Sequence, residues 1–196
     1  VVKEWLYELL GAPEHIHRTH ASFNSELGVP LTLSALTDQH QSALVEVGID
    51  EVGAMQRHEQ LVRPTIGIFT TLGDAHGENF ESDEQKFKEK FKLFQQCHSL
   101  VIGRKWLRWA QELGLKIPER TLVWGQGEEL DPDAIKDWPF SGDYQKENAL
   151  SALGGALLLG ASMEDLQRRL SLLQPLEMRM QLRGAKDGGY LLEDTY

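Results

Sequence analysis

Two side chains that could bind a metal ion or move a proton lie next to apolar segments. Glu46 lies within the short apolar run "LVEVGI", and His76 lies between two glycines in "GDAHG". A carboxylate in an apolar run is costly to bury without a partner, so Glu46 is either an acid at a solvent-facing strand end or a metal ligand or general base. His76 is either a polar loop residue or a ligand. Together, a carboxylate oxygen and an imidazole nitrogen could share one Mg²⁺ with phosphates and water.

A charged segment with four closely spaced lysines follows His76. The lysines are Lys86, Lys88, Lys90 and Lys92. On a helix they fan out around the axis, so most of them must be solvated, as on a surface helix laced with ion pairs. Lys86 and Lys90 share one face at i, i+4 spacing, as do Lys88 and Lys92. One lysine of the run could therefore point inward.

Three further polar residues are candidates for nucleotide contacts. Asn148 is predicted to open the apolar helix "NALSALGGALLLG", either as an ordinary N-terminal residue or as a hydrogen-bond partner for a flat heterocycle. Arg179, a lone cation in "PLEMRMQL", is either a surface arginine with its stem on apolar neighbours or a partner for phosphate. Asp194 falls at the end of a predicted strand.

The composition limits the classes of function. The chain has 196 residues, 41% of them hydrophobic and 26% charged, which suits one globular domain with its own core. The net charge of −10 argues against a nucleic-acid surface, although a few local cations could still hold one triphosphate. Cys97 is the single cysteine, which fits a reducing compartment, and no apolar run is long enough to span a bilayer. We therefore expect a cytoplasmic protein.

Short apolar strands alternate with helices along the chain. The predicted strands are "SALVEVGI", "PTIGIFT", "SLVIG", "RTLVWG" and "GYLLEDTY", and the predicted helices are residues 2–10, 82–97, "RKWLRWAQELGL", "ENALSALGGALLLG" and "MEDLQRRLSLL". This alternation predicts an α/β fold with a mainly parallel sheet covered by helices on both faces. Ligands of such sheets bind at the carboxyl ends of the strands, where Glu46, residues 70–76 and Asp194 are expected.

Neither of the common phosphate-binding glycine motifs, G-x-x-x-x-G-K-[ST] and G-x-G-x-x-G, occurs in the sequence. From the residues alone, the sequence predicts an α/β domain that binds a phosphorylated ligand with Mg²⁺.

A series of segments extends this interpretation. They are "SFNSELGVPLTL", "LVEVGIDEVGAM", "RPTIGIFTTLGDAHGENFES", "EKFKLF", "ENALSALGGALLLGA", "LQPLEMRMQL" and "LLEDTY". In this order they resemble the central ATPase domain of the Mur ligases, over nearly all 196 residues. The resemblance is nearest to the members that add D-alanyl-D-alanine to UDP-N-acetylmuramoyl-tripeptide through an acyl phosphate, in the form fused to an alanine racemase in the Bacteroidetes lineage.

The resemblance assigns roles to three of the residues introduced above. It implies that Glu46 and His76 bind Mg²⁺. It also implies that Lys90 is the family's carbamylated lysine, whose added carboxylate helps to position a second Mg²⁺. Lys90 and His76 would then be the catalytic residues of phosphoryl transfer from ATP.

Five other positions match family contacts to nucleotide or substrate. The resemblance implies that Asn148 contacts adenine, Arg179 lies near the ATP phosphates and Asp194 contacts the ribose. It places Asn24 and Ser25 in the loop that meets the UDP-sugar substrate. ATP and Mg²⁺ are the cofactors that follow.

The chain also departs from the family pattern. Thr71 stands where the family often has asparagine, which alters the hydrogen bonding behind His76. The phosphate-binding loop expected just before Val1 is absent, as is the motif expected after "DTY". We therefore expect residues 1–196 to be one central domain, cut close to both motifs, that needs flanking domains and is inactive by itself.

Three alternatives remain open on the sequence. The first is another amide ligase of the same fold, adding a different amino acid or extending a folate polyglutamate. The second is a catalytically silent scaffold between fused partners, against which the Glu46, His76 and Lys90 set argues. The third is a module that binds a small nucleotide without chemistry. No nucleic-acid or membrane partner is expected.

Overall fold

Helices and strands alternate along most of the chain. The computed structural model describes residues 1–73, 76–175, 181–184 and 190–193. Its α-helices are α1 (Val2–Leu9), α2 (Gly28–Ser34), α3 (Ala54–Val62), α4 (Asp83–Phe91), α5 (Arg104–Glu112), α6 (Asp143–Leu158) and α7 (Met163–Leu170). Its strands are β1 (Ile16–Arg18), β2 (Ser42–Leu44), β3 (Ile66–Phe69), β4 (Ser99–Gly103), β5 (Arg120–Trp124), β6 (Gln181–Gly184) and β7 (Tyr190–Glu193). Single 3₁₀ turns lie at Gly77–Asn79, Lys92–Phe94 and Pro132–Ala134.

The central sheet is parallel, in the order β3-β4-β5. Its middle strand β4 is buried along its whole length, and Val101 pairs with Ile68 on one side and Leu122 on the other. A second parallel pair joins β1 to β2, whereas β6 and β7 pair antiparallel. Parallel strands need crossover helices, and these helices supply the cover that a sheet buried on both faces requires.

Successive residues of β4 face two separate apolar clusters. Val101 belongs to the cluster formed with α1, α6 and α7. Leu100 and Ile102 belong to the cluster on the opposite face, which contains Phe87 and Phe91 of α4. Because side chains alternate along a strand, one short apolar strand serves both cores.

Helix α6 lies unusually close to the sheet because two of its residues have no side chain. A Cβ atom built on Gly154 would come within 2.5 Å of a Val101 methyl, and one on Gly155 within 2.6 Å of the Ile68 Cδ1 atom. Both distances are shorter than van der Waals contact. The paired glycines therefore set the spacing between this helix and β3 and β4.

The predicted α/β architecture is confirmed, with corrections to individual elements. The charged helix is α-helical only to Phe91 and ends in the 3₁₀ turn that follows, short of the predicted end at Cys97. Helix α6 begins at Asp143, so Asn148 lies in its second turn and does not open it, contrary to the prediction. The described strands form three hydrogen-bonded groups, with β1, β6, α2 and α3 not anticipated.

No helix in the described part of the chain has the length and apolar character required to cross a lipid bilayer.

Candidate functional site

The candidate site lies beyond the carboxyl ends of β2 and β3. Glu46 follows the last residue of β2 by two positions, so it lies outside the strand. Thr71, Leu72 and Gly73 follow β3 and begin the loop that leads to His76. The carboxyl ends of parallel strands are where α/β sheets bind ligands, and the residues singled out from the sequence follow two such ends.

Glu46 is held at both its backbone and its side chain. Its backbone N–H donates to the Thr19 hydroxyl at 3.0 Å, and its Oε1 atom accepts from the Asn24 amide nitrogen at 2.9 Å. The residue is half-buried, which leaves part of the carboxylate open to solvent. Hydrogen bonds that hold a carboxylate in this way are typical of oxygen ligands of a hard cation.

The predicted substrate loop is connected directly to Glu46. Besides the contact to the carboxylate, the Asn24 carbonyl accepts from the Gly48 N–H at 2.7 Å. Ser25 is exposed, and its hydroxyl accepts from the Gly28 N–H at 3.2 Å in the first turn of α2. Thus Asn24 faces the metal-site candidate, whereas Ser25 closes the start of a helix and keeps an exposed hydroxyl.

His76 is exposed and has left-handed backbone geometry, with φ of +57°. Its carbonyl accepts from the Asn79 N–H at 3.2 Å in the following 3₁₀ turn. The Asn79 side chain in turn donates to the Asp50 carbonyl at 2.6 Å. This bond ties the loop after β3 to the segment that follows Glu46, so the two predicted metal ligands belong to connected loops.

Two lysines of α4, not one, point toward the loop after β3. The Lys90 amine donates to the carbonyls of Thr71 at 3.0 Å and Leu72 at 2.5 Å. The Lys86 amine donates to the Gly73 carbonyl at 2.8 Å, and Lys86 is only 2% exposed. Two successive turns of one helix therefore hold three successive carbonyls of the loop.

The environment of Lys90 favours its neutral form. Burial, and next the nearby positive charge of Lys86, lower the pKa of Lys90 from 10.5 to about 8. A lysine with such a pKa has a sizeable neutral fraction near physiological pH, unlike an ordinary surface lysine. The neutral amine is the form that can attack an electrophile such as CO₂.

The other two lysines of the run have the expected surface character. Lys88 pairs with Glu84 at 2.5 Å, and both are exposed. Lys92 pairs with Glu89 at 2.6 Å, but Glu89 is 3% exposed and also accepts from the backbone N–H groups of Gly53 and Met55. Glu89 thereby joins α4 to the start of α3.

The predicted nucleotide contacts are only partly covered by the described residues. Asn148 is half-buried on α6, and its side-chain amide nitrogen and oxygen have no hydrogen-bond partner among the described residues. Arg179 and Asp194 lie outside the described residues. Their roles stay predictions.

A complete metal centre is not formed by the described residues. They contain no group of three or more histidine, cysteine, aspartate or glutamate side chains placed to hold one ion. Glu46 and His76 would therefore need oxygens from phosphate, water or a modified lysine, as Mg²⁺ commonly has.

Sequence reasoning did not find Thr19, Lys3 or Asn79 as supports of the site. Thr19 and Lys3 are buried and lie in segments with no motif, so only the folded chain shows their contacts to the Glu46 region. Lys86 carried a signal, namely its i, i+4 spacing from Lys90.

Some clefts in the described part of the chain lie away from the candidate site. One of about 360 Å³ is lined by residues at the amino ends of β3 and β4, including Arg63, Thr65 and His98. It is at the edge of the sheet opposite Glu46 and His76. It has no part in the candidate site.

The domain has a parallel sheet, and an acid, a histidine and a lysine with a lowered pKa follow the carboxyl ends of its strands or lie beside them. It belongs to the class of α/β domains that bind ligands at that edge of the sheet. Residues 1–128 match the Mur ligase middle domain, and the chain belongs to that family. The resemblance identified from the sequence motifs is thereby confirmed at the level of the family.

Several curated relatives of the chain share one name. The UDP-N-acetylmuramoyl-tripeptide–D-alanyl-D-alanine ligase of Synechocystis is 27% identical over 208 residues, and the enzyme of the same name from Bacillus subtilis is 24% identical over 217 residues. Each match covers 99% of this chain but 46% of the relative. The chain therefore spans about half the length of the relatives it matches.

Solved structures share the fold. MurF from Acinetobacter baumannii superposes with a TM-score of 0.84 at 22% identity, covering all of this chain and 48% of that one. MurF from Thermotoga maritima, solved in complex with ADP, gives 0.81 at 21% identity and 50% coverage of that chain. At these identities the likeness concerns the fold.

Proposed function

We propose that this chain is the ATP-binding central domain of a ligase that joins D-alanyl-D-alanine to UDP-N-acetylmuramoyl-tripeptide during peptidoglycan precursor synthesis. The observation that carries the proposal is the membership of residues 1–128 in the Mur ligase middle domain family, in a chain whose curated relatives have this activity in their names. The site residues at the carboxyl edge of the sheet support it.

The reaction divides into two steps. The terminal carboxylate of the tripeptide attacks the γ-phosphorus of ATP, the bond to the bridging oxygen breaks, and ADP leaves. The amine of the dipeptide then attacks the acyl phosphate, loses a proton, and expels inorganic phosphate as the amide forms. Both steps require the two reactants to be held close together and the phosphoryl charge to be neutralised.

The donor set fits Mg²⁺. Glu46 offers a fixed carboxylate and His76 an exposed imidazole on a connected loop, and this small number of protein ligands is usual where phosphates complete the shell. Mg²⁺ bound there would neutralise charge on the transferring phosphoryl group.

Lys90 fits the role of a modified lysine. The protonated amine first loses one proton to solvent. Its nitrogen lone pair then attacks the carbon of CO₂, a C=O π pair moves onto oxygen as the N–C bond forms, and the nitrogen loses a second proton, so that a cation becomes a carbamate anion. The resulting carbamate would be a further oxygen ligand beside the loop that leads to His76. The lowered pKa of about 8 makes this modification accessible at neutral pH. Lys88 on the same helix is exposed and paired with Glu84.

The remaining residues bind the nucleotide and the sugar substrate. The half-buried amide of Asn148 matches both the donor and the acceptor edge of adenine. Arg179 would contact the phosphates, and Asp194 the ribose hydroxyls. Asn24 and Ser25 would meet the UDP-sugar, which places the acceptor substrate next to Glu46.

Because the chain spans about half the length of its relatives, we include flanking domains in the proposal. In this view residues 1–196 are one central domain, the UDP group binds mainly to a domain before it, and the dipeptide binds to one after it. Fusion to an alanine racemase and a cytoplasmic location belong to the same proposal.

The proposal is tested by measuring phosphate release from ATP by the protein as its gene encodes it. We expect release only when both UDP-N-acetylmuramoyl-tripeptide and D-alanyl-D-alanine are present. Lys90→Ala and His76→Ala should reduce the rate by at least 100-fold, since each removes a group near the transferred phosphate.

Lys88→Ala, on the exposed side of the same helix, is the matched control and should leave the rate within about 2-fold, as expected for a surface ion pair. Release that depends on a different amino acid would instead identify another amide ligase of this fold. A folded protein that binds ATP without any acceptor-dependent release would favour the scaffold interpretation.

A further inference from the structure

We infer that Thr19, Lys3 and Asn24 form a positioning network that fixes Glu46 as a metal ligand, so that Asn24 serves the metal site as well as the sugar-binding loop. The inference rests on the proposed function, because it concerns the same site. It assigns Thr19 and Lys3, which no motif identifies, a role in metal affinity.

The first part of the network is Thr19, whose side chain is fully buried. Its hydroxyl accepts from the Glu46 N–H at 3.0 Å, and its own N–H donates to the Leu44 carbonyl at 3.0 Å. Thr19 therefore hydrogen-bonds to Leu44, the last residue of β2, and to Glu46, two positions later. The backbone position from which the Glu46 side chain projects depends on this threonine.

The second part is Lys3, a lysine in the first turn of α1 with only 7% of its surface exposed. Its amine donates to the carbonyl of Thr19 and, at 2.7 Å, to that of Ala21, and it pairs with Glu4 at 2.9 Å. A buried ammonium group is costly unless it is fully paired, so these contacts hold the segment after β1 against α1. Lys3 thereby fixes Thr19.

The third part is Asn24, which holds the carboxylate itself. Its amide nitrogen donates to Oε1 of Glu46 at 2.9 Å, while its carbonyl accepts from the N–H of Gly48 at 2.7 Å. A Cβ atom on Gly48 would lie 3.1 Å from that same carbonyl, so the close approach suits glycine. Among the described residues no donor engages Oε2 of Glu46, which leaves this atom for a cation.

These contacts are typical of the partners that orient metal ligands, and their loss usually weakens metal binding 10–100-fold.

We would titrate Mn²⁺, used as a paramagnetic substitute for Mg²⁺, into the protein as its gene encodes it and follow free Mn²⁺ by electron paramagnetic resonance. Thr19→Val keeps the shape and removes the acceptor for the Glu46 N–H. It should raise the Kd by about 10-fold or more. Thr19→Ser, which keeps the hydroxyl, should restore the Kd to within about 3-fold of the unsubstituted protein, because the acceptor is retained.

Thr32→Val is the matched control. Thr32 is a buried threonine whose hydroxyl donates to the Gly28 carbonyl within α2, away from Glu46, so its removal should leave the Kd unchanged. If Thr19→Val does not fold, Asn24→Ala, in a half-buried loop, allows the same measurement. It should weaken Mn²⁺ binding to the same extent.

The outcomes separate this inference from the proposed function. Binding that is abolished by Glu46→Gln but equal in Thr19→Val and the unsubstituted protein would overturn the inference and leave the metal site standing. Equal weakening by Thr19→Val and Thr32→Val would also overturn it, since general destabilisation would then explain both. Failure of the unsubstituted protein to bind Mn²⁺ would overturn the metal site and the inference together.

Discussion

At the scale of single residues, Lys90 and Lys88 show how burial changes the chemistry of one side-chain type. Both amines lie on α4, two positions apart. Lys88 pairs with Glu84 in solvent, whereas the hydrogen-bond partners of Lys90 in the described part of the chain are neutral carbonyls, with the positive charge of Lys86 nearby. Burial, and next the charge of Lys86, lower the pKa of Lys90. This environment is the one that the carbamylation proposed for Lys90 requires.

The lowered pKa of Lys90 predicts a pH-dependent contribution to stability. Below about pH 8 the amine is protonated in the folded and unfolded chains alike, while between about 8 and 10.5 the unfolded chain holds more protons. The free energy of unfolding should therefore rise with pH across this window. Relative to Lys90→Met, the unsubstituted protein should gain up to about 3 kcal/mol, an upper limit because a half-buried amine keeps part of its hydration.

Urea unfolding at about pH 7 and about pH 10 in CO₂-free buffer measures this gain as a difference between the two proteins, so that other titrating groups cancel. The same comparison for Lys88→Met gives the change for an exposed lysine of the same helix and serves as the control. A difference for Lys90→Met that stays constant or falls as the pH rises would contradict the assigned environment.

At the scale of elements, Glu89 decides how α3 and α4 are joined. Its carboxylate accepts from the N–H groups of Gly53 and Met55 at the start of α3, where backbone donors have no partner within the helix. Glu89→Ala would leave those donors and the amine of Lys92 without their buried acceptor. We expect a loss of about 3 kcal/mol in the free energy of unfolding.

Glu84→Ala provides the comparison for Glu89, because it breaks a similar Glu–Lys pair on the same helix in solvent. It should change the free energy of unfolding by no more than about 0.5 kcal/mol. Equal losses in the two variants, measured by urea unfolding, would show that the buried Glu89 carboxylate contributes no more stability than the exposed Glu84 carboxylate.

Helix α6 provides a second prediction, which concerns packing. Alanine favours a helix over glycine by about 1 kcal/mol, yet a methyl at Gly154 would meet the stiff Val101 side chain at 2.5 Å. Overpacking should win, so Gly154→Ala should lower the free energy of unfolding by about 1–3 kcal/mol. The double variant with Val101→Ala should lose less stability than the sum of the two single losses, because the cavity left by Val101 accepts the new methyl. Additive losses in thermal or urea unfolding would contradict this contact.

Local patterns predicted the strands of the central sheet well and the polar contacts poorly. "SLVIG" and "RTLVWG" form β4 and β5 almost as expected, because a buried parallel strand has an apolar signature of its own. The i, i+4 spacing paired Lys86 with Lys90, but which pair faces inward depends on how buried Phe87 and Phe91 orient α4 in the core. The early start of α6 escaped notice because "SGDYQ" looks like a loop, although Gln145 accepts from the Gly142 N–H and closes the first turn. The bond from Lys3 to Thr19 joins residues 16 positions apart, beyond the range of any local pattern.

At the scale of the whole molecule, the two apolar clusters share a single sheet. Val101 packs in the cluster with α6, while its neighbours Leu100 and Ile102 pack in the cluster with α4. Loss of either cluster exposes one face of β3, β4 and β5, strands that are apolar on both sides. A sheet of this kind is stable only while both faces are covered, so the two layers should unfold as one cooperative unit.

Hydrogen exchange followed by mass spectrometry at increasing urea tests this cooperativity. Peptides from α6 and from α4 should converge on one opening free energy, while a peptide from residues 126–137, which form little regular structure, should exchange without urea. Leu166→Ala in one cluster should lower the opening free energy of both peptides equally, by about 2–4 kcal/mol. Phe87→Leu in the other cluster should likewise lower the two peptides by equal amounts. If Phe87→Leu lowered the protection of α4 while α6 kept its own, the two faces would be separate cooperative units. The candidate site, whose lysines belong to α4 and whose acid follows β2, would then rest on a layer that can open without the rest of the fold.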